Sequence, residues 1–314
     1  MSIFPPKLNP GDTIGVVSPS NPVVDVIQTQ YDDGISRLKE FGFQVLEGQH
    51  THSSSWEYSA SPIEKAQDIN NMFANPDVKA IICTQGGYTA NACLPYLDWD
   101  IIRTHLKIFL GISDITVLLN AIHARTGLIT FHGPDVMWGF GNDQQAYELN
   151  EFNAILVEGR SGEIPANGDR KTIRSGIAKG KLLGGNINCL LKLVGTAYLP
   201  DFTGSILALE AIDVPAASFD HMFQQLKQMG IFEQINGILT GYIDGTDNKS
   251  ETTTFMEDVL LRIVEEYEFP ILKTQDFGHN CANTTLPIGG IISLDADQKC
   301  VSILNADHDK SDAV

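Results

Sequence analysis

Apolar positions in the first half of the chain recur with two alternating periods. Thr13-Ile14-Gly15-Val16-Val17-Ser18 is a β-branched run stopped by Pro19-Ser20-Asn21-Pro22, and it predicts a strand. From about Val24 to Phe41, Ile27, Tyr31, Ile35 and Leu38 fall at helical spacing. Phe43-Gln44-Val45-Leu46 predicts a second strand, and Ile63 to Phe73 a second helix closed by Asn75-Pro76. Val78 to Cys83 and Lys107 to Leu110 predict further strands, with a helix from Asp114 to Ala124. Such alternation specifies parallel strands joined by crossover helices. Strands this apolar suit a sheet covered on both faces.

The pattern changes after about Val157. Residues 158–175 are rich in Gly, Arg, Glu, Asn and Pro and show little periodicity, which predicts a linker. Strands are expected again at Ser205 to Leu209 and Gly237 to Thr240, with helices near Ser218 to Gln228 and Thr254 to Tyr267. Short strands follow near Pro270 to Leu272 and Gly290 to Leu294, and the polar tail after Ala306 is expected to fray. The fold class is therefore α/β: an N-terminal Rossmann-like parallel-sheet domain over 1–157, then a smaller C-terminal α/β domain with a mixed sheet over 176–314.

Composition narrows the function classes. A chain of 314 residues, 43% hydrophobic and 19% charged, can bury a sizeable core. Its 21 basic and 39 acidic side chains give a net charge of −18, which argues against nucleic acid or an anionic membrane as partner. The N-terminus lacks the basic and apolar regions of a secretory signal, and no apolar run reaches the ~18 residues of a membrane span. The five cysteines are scattered, with no Cys-x-x-Cys pair, so neither a disulfide framework nor a zinc site is expected. A cytoplasmic location follows as an expectation.

Four features could carry chemistry. Ser113, in Leu110-Gly111-Ile112-Ser113-Asp114, follows a strand and precedes a helix, where open α/β sheets place ligands. Taken alone, it reads first as a helix N-cap. Gly86-Gly87-Tyr88 follows the third strand, and paired glycines let backbone amides approach a ligand, as half of an oxyanion hole, a phosphate cradle or a plain turn. His279 lies among loop-forming residues, with His132 in Phe131-His132-Gly133-Pro134 as its rival. Glu210 closes the apolar run Ile206-Leu207-Ala208-Leu209 and needs a partner such as an imidazole N–H, unless it is solvated. The phosphate loop, the dinucleotide-binding glycine fingerprint and Gly-x-Ser-x-Gly are absent.

Taken in order, these landmarks resemble the LD-carboxypeptidases, the S66 group of serine peptidases that includes the microcin C7 self-immunity peptidases. The likeness spans nearly the whole chain. It runs from Leu8-Asn9-Pro10-Gly11-Asp12-Thr13 through Gly86-Gly87-Tyr88, Gly111-Ile112-Ser113-Asp114 and Phe131-His132-Gly133-Pro134. It continues through Gly184-Gly185-Asn186 and Glu210 to Gly278-His279 and Thr285-Leu286-Pro287-Ile288-Gly289. The resemblance implies a triad of Ser113 as nucleophile, His279 as base and Glu210 as the group orienting it. It also implies oxyanion donors on the backbone N–H groups of Gly87 and Asp114, a site between two domains, no metal or cofactor, and a homodimer. Gly86, Tyr88, His132 and Asn186 are the expected substrate contacts.

The sequence departs from the family pattern at Gln85, where many members carry arginine, at Ala211, where an acidic residue is frequent, and at Ala282, where proline is common. These positions bear on substrate and leave the triad intact. The partner is expected to be a small peptide-like molecule: by the leading reading a cytoplasmic murein tetrapeptide losing D-alanine, by the alternative a peptidyl- or aminoacyl-nucleotide analogue. A non-catalytic binding protein of the same fold is the reading from another class. A substrate carboxylate wants a cation, for which Arg125, Arg170 and Arg174 are candidates among seven arginines. A nucleotide base favours an aromatic face, and Trp138 is a candidate for that or for loop packing.

Overall fold

The computed structural model describes residues 2–142, 146–247 and 254–304. The expected alternation begins with β1 (Thr13–Val17), α1 (Gln28–Glu40), β2 (Gln44–Glu47), α2 (Pro62–Ala74) and β3 (Val78–Cys83). Next come α3 (Trp99–Thr104), β4 (Ile108–Gly111), α4 (Thr116–Thr126), β5 (Thr130–His132) and α5 (Ala146–Phe152). Strands β1 to β5 are mutually parallel, in the spatial order β5-β4-β3-β1-β2. Burial explains the apolar strands: Ala80 to Cys83 and Ile108 to Leu110 have no exposed surface. Helix α1 presents Tyr31, Ile35 and Leu38 to the core, while α2 is started by a capping box of Ser61 and Glu64.

The second half runs through β6 (Gly162–Glu163), β7 (Lys171–Arg174), β8 (Ile177–Asn186), α6 (Ile187–Leu190), β9 (Ser205–Ile212) and α7 (Ala216–Gln228). It ends with β10 (Gly237–Asp244), α8 (Met256–Ile263), β11 (Ile271–Gly278), β12 (Leu286–Ile288), β13 (Ile291–Asp295) and β14 (Cys300–Leu304). Strands β8 to β11 are parallel; β7, β13, β14 and β6 join them antiparallel in a mixed eight-stranded sheet. The chain is thus a two-domain α/β protein with one mainly parallel and one mixed sheet.

The structure adds three features to the sequence reading. Residues 158–175, expected to link the halves, carry β6 and β7 at opposite edges of the second sheet. Strand β12, in the Thr285–Gly289 motif, returns to the first sheet and pairs antiparallel with β5. Helix α4 is buried around nearly its whole circumference from Thr116 to His123, as an apolar helix between layers must be. Its Asn120 exchanges two hydrogen bonds with the main chain of Gly184 on β8, at 2.9 and 3.0 Å. Thr116 Oγ1 accepts from Asn186 N at 3.0 Å, fastening the helix after Ser113 to the end of β8. The tail after Ala306 lies outside the described residues.

Candidate active site

A cavity of about 770 Å³ opens where the carboxyl ends of β3, β4, β9 and β11 meet. Its wall includes Gly86, Gly87, Ser113 and Trp138 from the first half, and Lys192 and His279 from the second. This is where parallel sheets expose loop residues and ligands bind.

Ser113 follows the extended Ile112 with a φ of +63°, in the left-handed region that costs an L-residue about 1–2 kcal/mol. It begins a 3₁₀ turn, Ser113–Ile115, that leads into α4. The capping reading does not hold, because no side-chain capping bond is made at either of these helical starts. Its hydroxyl makes no hydrogen bond among the described residues, so it is free to meet a ligand. Gly86 lies against it: a Cβ there would stand 2.8 Å from Ser113 Oγ. Gly87, with φ +145°, has no room for a side chain either, since a Cβ would come within 2.3 Å of Asn21 Oδ1.

Glu210 and His279 meet from neighbouring regions of the second sheet. Glu210 sits near the end of β9 without exposed surface, and His279 follows the last residue of β11. Nδ1 of His279 is 2.6 Å from Glu210 Oε2, which fixes that nitrogen as the donor to a carboxylate. The turn behind His279 is closed by Gly278 N donating to Asn283 Oδ1 at 2.8 Å. Burial opposes charge on both groups, yet their mutual attraction prevails. Glu210 is held below its ordinary pKa and His279 above.

Other groups fill in the site. Asn186 faces Glu210 across the β8–β9 ladder and caps α6, accepting from Cys189 N at 3.2 Å. Tyr88 is 80% exposed at the rim. Trp138, 46% exposed, donates from Nε1 to Gln85 Oε1 at 3.2 Å while lining the cavity. Asp135 caps the turn Val136–Phe140, accepting from Trp138 N and Gly139 N, and burial pushes it up to about 6. Burial likewise pushes Glu148 up to about 7.

Several expected contacts lie elsewhere. His132 has no exposed surface and does not line the cavity; it is held between β4 and β12 with its ring edge-on to Phe277. Both its ring nitrogens lack a hydrogen-bond partner among the described residues, and burial lowers it to about 4. Its place is in the core, close enough to Glu210 and His279 for their charges to act on it. Of the candidate cations, Arg170 is buried on Asp276 at 2.8 Å, Arg174 lies over Phe269 and Arg125 over Trp99. None of the three lines the cavity. Lys192 does, and sequence reasoning missed it because no local pattern marks a lysine in a short turn after α6. Among the described residues, no group of three or more metal-ligating side chains gathers and no helix is long and apolar enough to cross a membrane.

A serine at positive φ beside paired glycines and a histidine bonded to buried Glu210 thus come to one cavity at the carboxyl ends of parallel strands. Residues 14–133 match the LD-carboxypeptidase N-terminal domain and residues 179–294 the LD-carboxypeptidase C-terminal domain, and the chain belongs to that family. It is therefore an enzyme of the serine-type carboxypeptidase class. The microcin C7 self-immunity protein MccF of Escherichia coli is 31% identical over 93% of this chain and 93% of its own. A probable murein peptide carboxypeptidase of Bacillus subtilis is also 31% identical, over 95% and 93%. The structure of MccF in complex with glutamyl sulfamoyl guanosine superposes with a TM-score of 0.89 at 29% identity, covering 96% of this chain and 98% of that one.

Proposed function

We propose that this chain is a cytoplasmic LD-carboxypeptidase in which Ser113, His279 and Glu210 form a catalytic triad. Ser113 Oγ attacks the carbonyl of a peptide-like amide as His279 Nε2 takes its proton. The oxyanion of the tetrahedral adduct is met by the N–H groups of Gly87 and Asp114, and His279 returns the proton to the leaving amine. Water then releases the acyl group by the same steps in reverse order. Glu210 holds the imidazole in the tautomer that leaves Nε2 free. The observation that carries this reading is one cavity lined by both a left-handed serine and the histidine bonded to buried Glu210. Free thiols at Cys83, Cys93 and Cys189, all buried, support the reducing compartment.

The leading substrate is a murein tetrapeptide losing its terminal D-alanine. Trp138 at the cavity wall favours a second reading, a peptidyl- or aminoacyl-nucleotide analogue whose base stacks on the indole. Both compounds are incubated with enzyme and with Ser113→Ala, and products are weighed by mass spectrometry. D-alanine from the tetrapeptide supports the first reading; cleavage of an aminoacyl-sulfamoyl adenylate alone supports the second. Full activity in Ser113→Ala would falsify the triad.

A further inference from the structure

Lys192 reaches from the turn after α6 across the cavity into the first half of the chain. Its Nζ lies 2.5 Å from Asp114 Oδ1 and donates to the carbonyl of Tyr88 at 3.0 Å. Asp114 has no exposed surface, and its other oxygen accepts from Ser20 Oγ at 2.6 Å and Ala90 N at 2.8 Å. Ser20 Oγ in turn accepts from Thr89 N at 3.3 Å. The Asp114 carboxylate thus joins two turns, 87–90 after β3 and 113–115 after β4, and the ammonium of Lys192 bonds to both. We propose that Lys192 is a positioning residue that sets the spacing between the Gly87 and Asp114 amides, and so preorganises the oxyanion hole from the opposite domain.

The physical argument rests on the proposed mechanism and on where the bonds fall. Tyr88 C=O is one residue beyond the Gly87 amide, and the Asp114 side chain hangs from the same residue as the second donor. An ammonium bonded to both couples the two donors through a short, partly buried path, with the Lys192 side chain 25% exposed. Oxyanion donors act by being fixed before charge develops, so displacement of either by a fraction of an ångström weakens stabilisation of the transition state more than binding of substrate. Lys192 itself touches no reacting atom.

The test compares Lys192→Met and Lys192→Arg with the parent enzyme and Ser113→Ala, on whichever substrate the enzyme cleaves. Lys192→Met is expected to lower kcat by about 10- to 100-fold with little change in KM, a smaller loss than deleting a donor outright. A boronic acid that forms a tetrahedral adduct at Ser113 should lose affinity in proportion to kcat, and Lys192→Arg should recover most of both. The inference is overturned if kcat in Lys192→Met stays within about twofold of the parent, or if the loss appears wholly as raised KM. It is equally overturned if Met and Arg variants lose activity and melting temperature together, since that is a structural role. Ser113→Ala separates the layers: an inactive Ser113→Ala beside an unaffected Lys192→Met removes only the positioning role, whereas an active Ser113→Ala removes the mechanism beneath it.

Discussion

At the ends of β3 and β4 the cavity is shaped by main-chain geometry. Ser113 is held at φ +63° and Gly87 at φ +145°, with glycine needed where a Cβ would strike Ser113 or Asn21. At the ends of β9 and β11 it is shaped by charge, through a buried carboxylate 2.6 Å from an imidazole. The two regions solve different problems. In the proposed mechanism a nucleophile and two amide donors must be placed to within a fraction of an ångström, which backbone held by a buried sheet can do. A base must hold one tautomer and a suited proton affinity, which a buried charge pair sets. The geometric half is therefore sensitive to added volume, and the electrostatic half to altered charge.

That contrast can be broken most forcefully at Glu210. Glu210→Gln keeps shape but removes the negative charge and permits the wrong imidazole tautomer, so kcat should fall by about 10³- to 10⁴-fold. The direction in pH follows from the sign of the shift. Glu210 holds His279 above its ordinary pKa, so under the proposed mechanism the base stays protonated and inactive up to a higher pH than a free imidazole allows. The acid limb of kcat/KM should move to lower pH in the variant; a limb that does not move contradicts the charge-pair account.

Gly87→Ala tests the other half. Its Cβ would meet Asn21 Oδ1 at 2.3 Å and Ser20 Oγ at 2.6 Å, forcing the 87–90 turn away from Ser113. We expect a loss of about 100-fold in kcat, with the pH limb unmoved. A shifted limb here would mean that the two regions are not separable.

A smaller effect sharpens the electrostatic half. Asp135 and Glu148, pushed up to about 6 and about 7 by burial, ionise as pH rises through neutrality and add negative charge to the cavity. The KM for a peptide ending in a free carboxylate should rise several-fold between about pH 5 and about pH 8, and Glu148→Gln should flatten that rise. Smallest is the release of strain. Ser113→Gly should be inactive yet melt later, by the equivalent of about 1 kcal/mol, since glycine accepts a left-handed φ without penalty. An earlier melt would remove strain from the description of the geometric half.

Legibility in the sequence followed the range of each interaction. Alternating periods located β1, β3, β4 and α4 because burial of a strand or a helix face is written into neighbouring residues. The four chemical landmarks were visible for a related reason: Gly-Gly, Ser after a strand, Glu at a strand end and His in a loop are local contexts. The hidden parts are long-range. The Thr285–Gly289 motif gives no sign in the sequence that it is a strand, because the three residues of β12 gain a partner only on reaching β5. His132 looked like a substrate contact until β4 and β12 enclosed it.

By itself, then, the sequence determined the α/β class, the order of the elements and the residue types able to do acyl transfer, because hydrophobic periodicity and turn chemistry act over a few residues. Tertiary structure alone decided which of them converge. It put Lys192 on Asp114, 78 positions apart, sent Arg125, Arg170 and Arg174 to other partners, and turned Ser113 from a helix cap into a strained residue at a cavity wall. Those outcomes depend on how two sheets close around α4, and no local pattern encodes a distance between side chains that meet only after that closure.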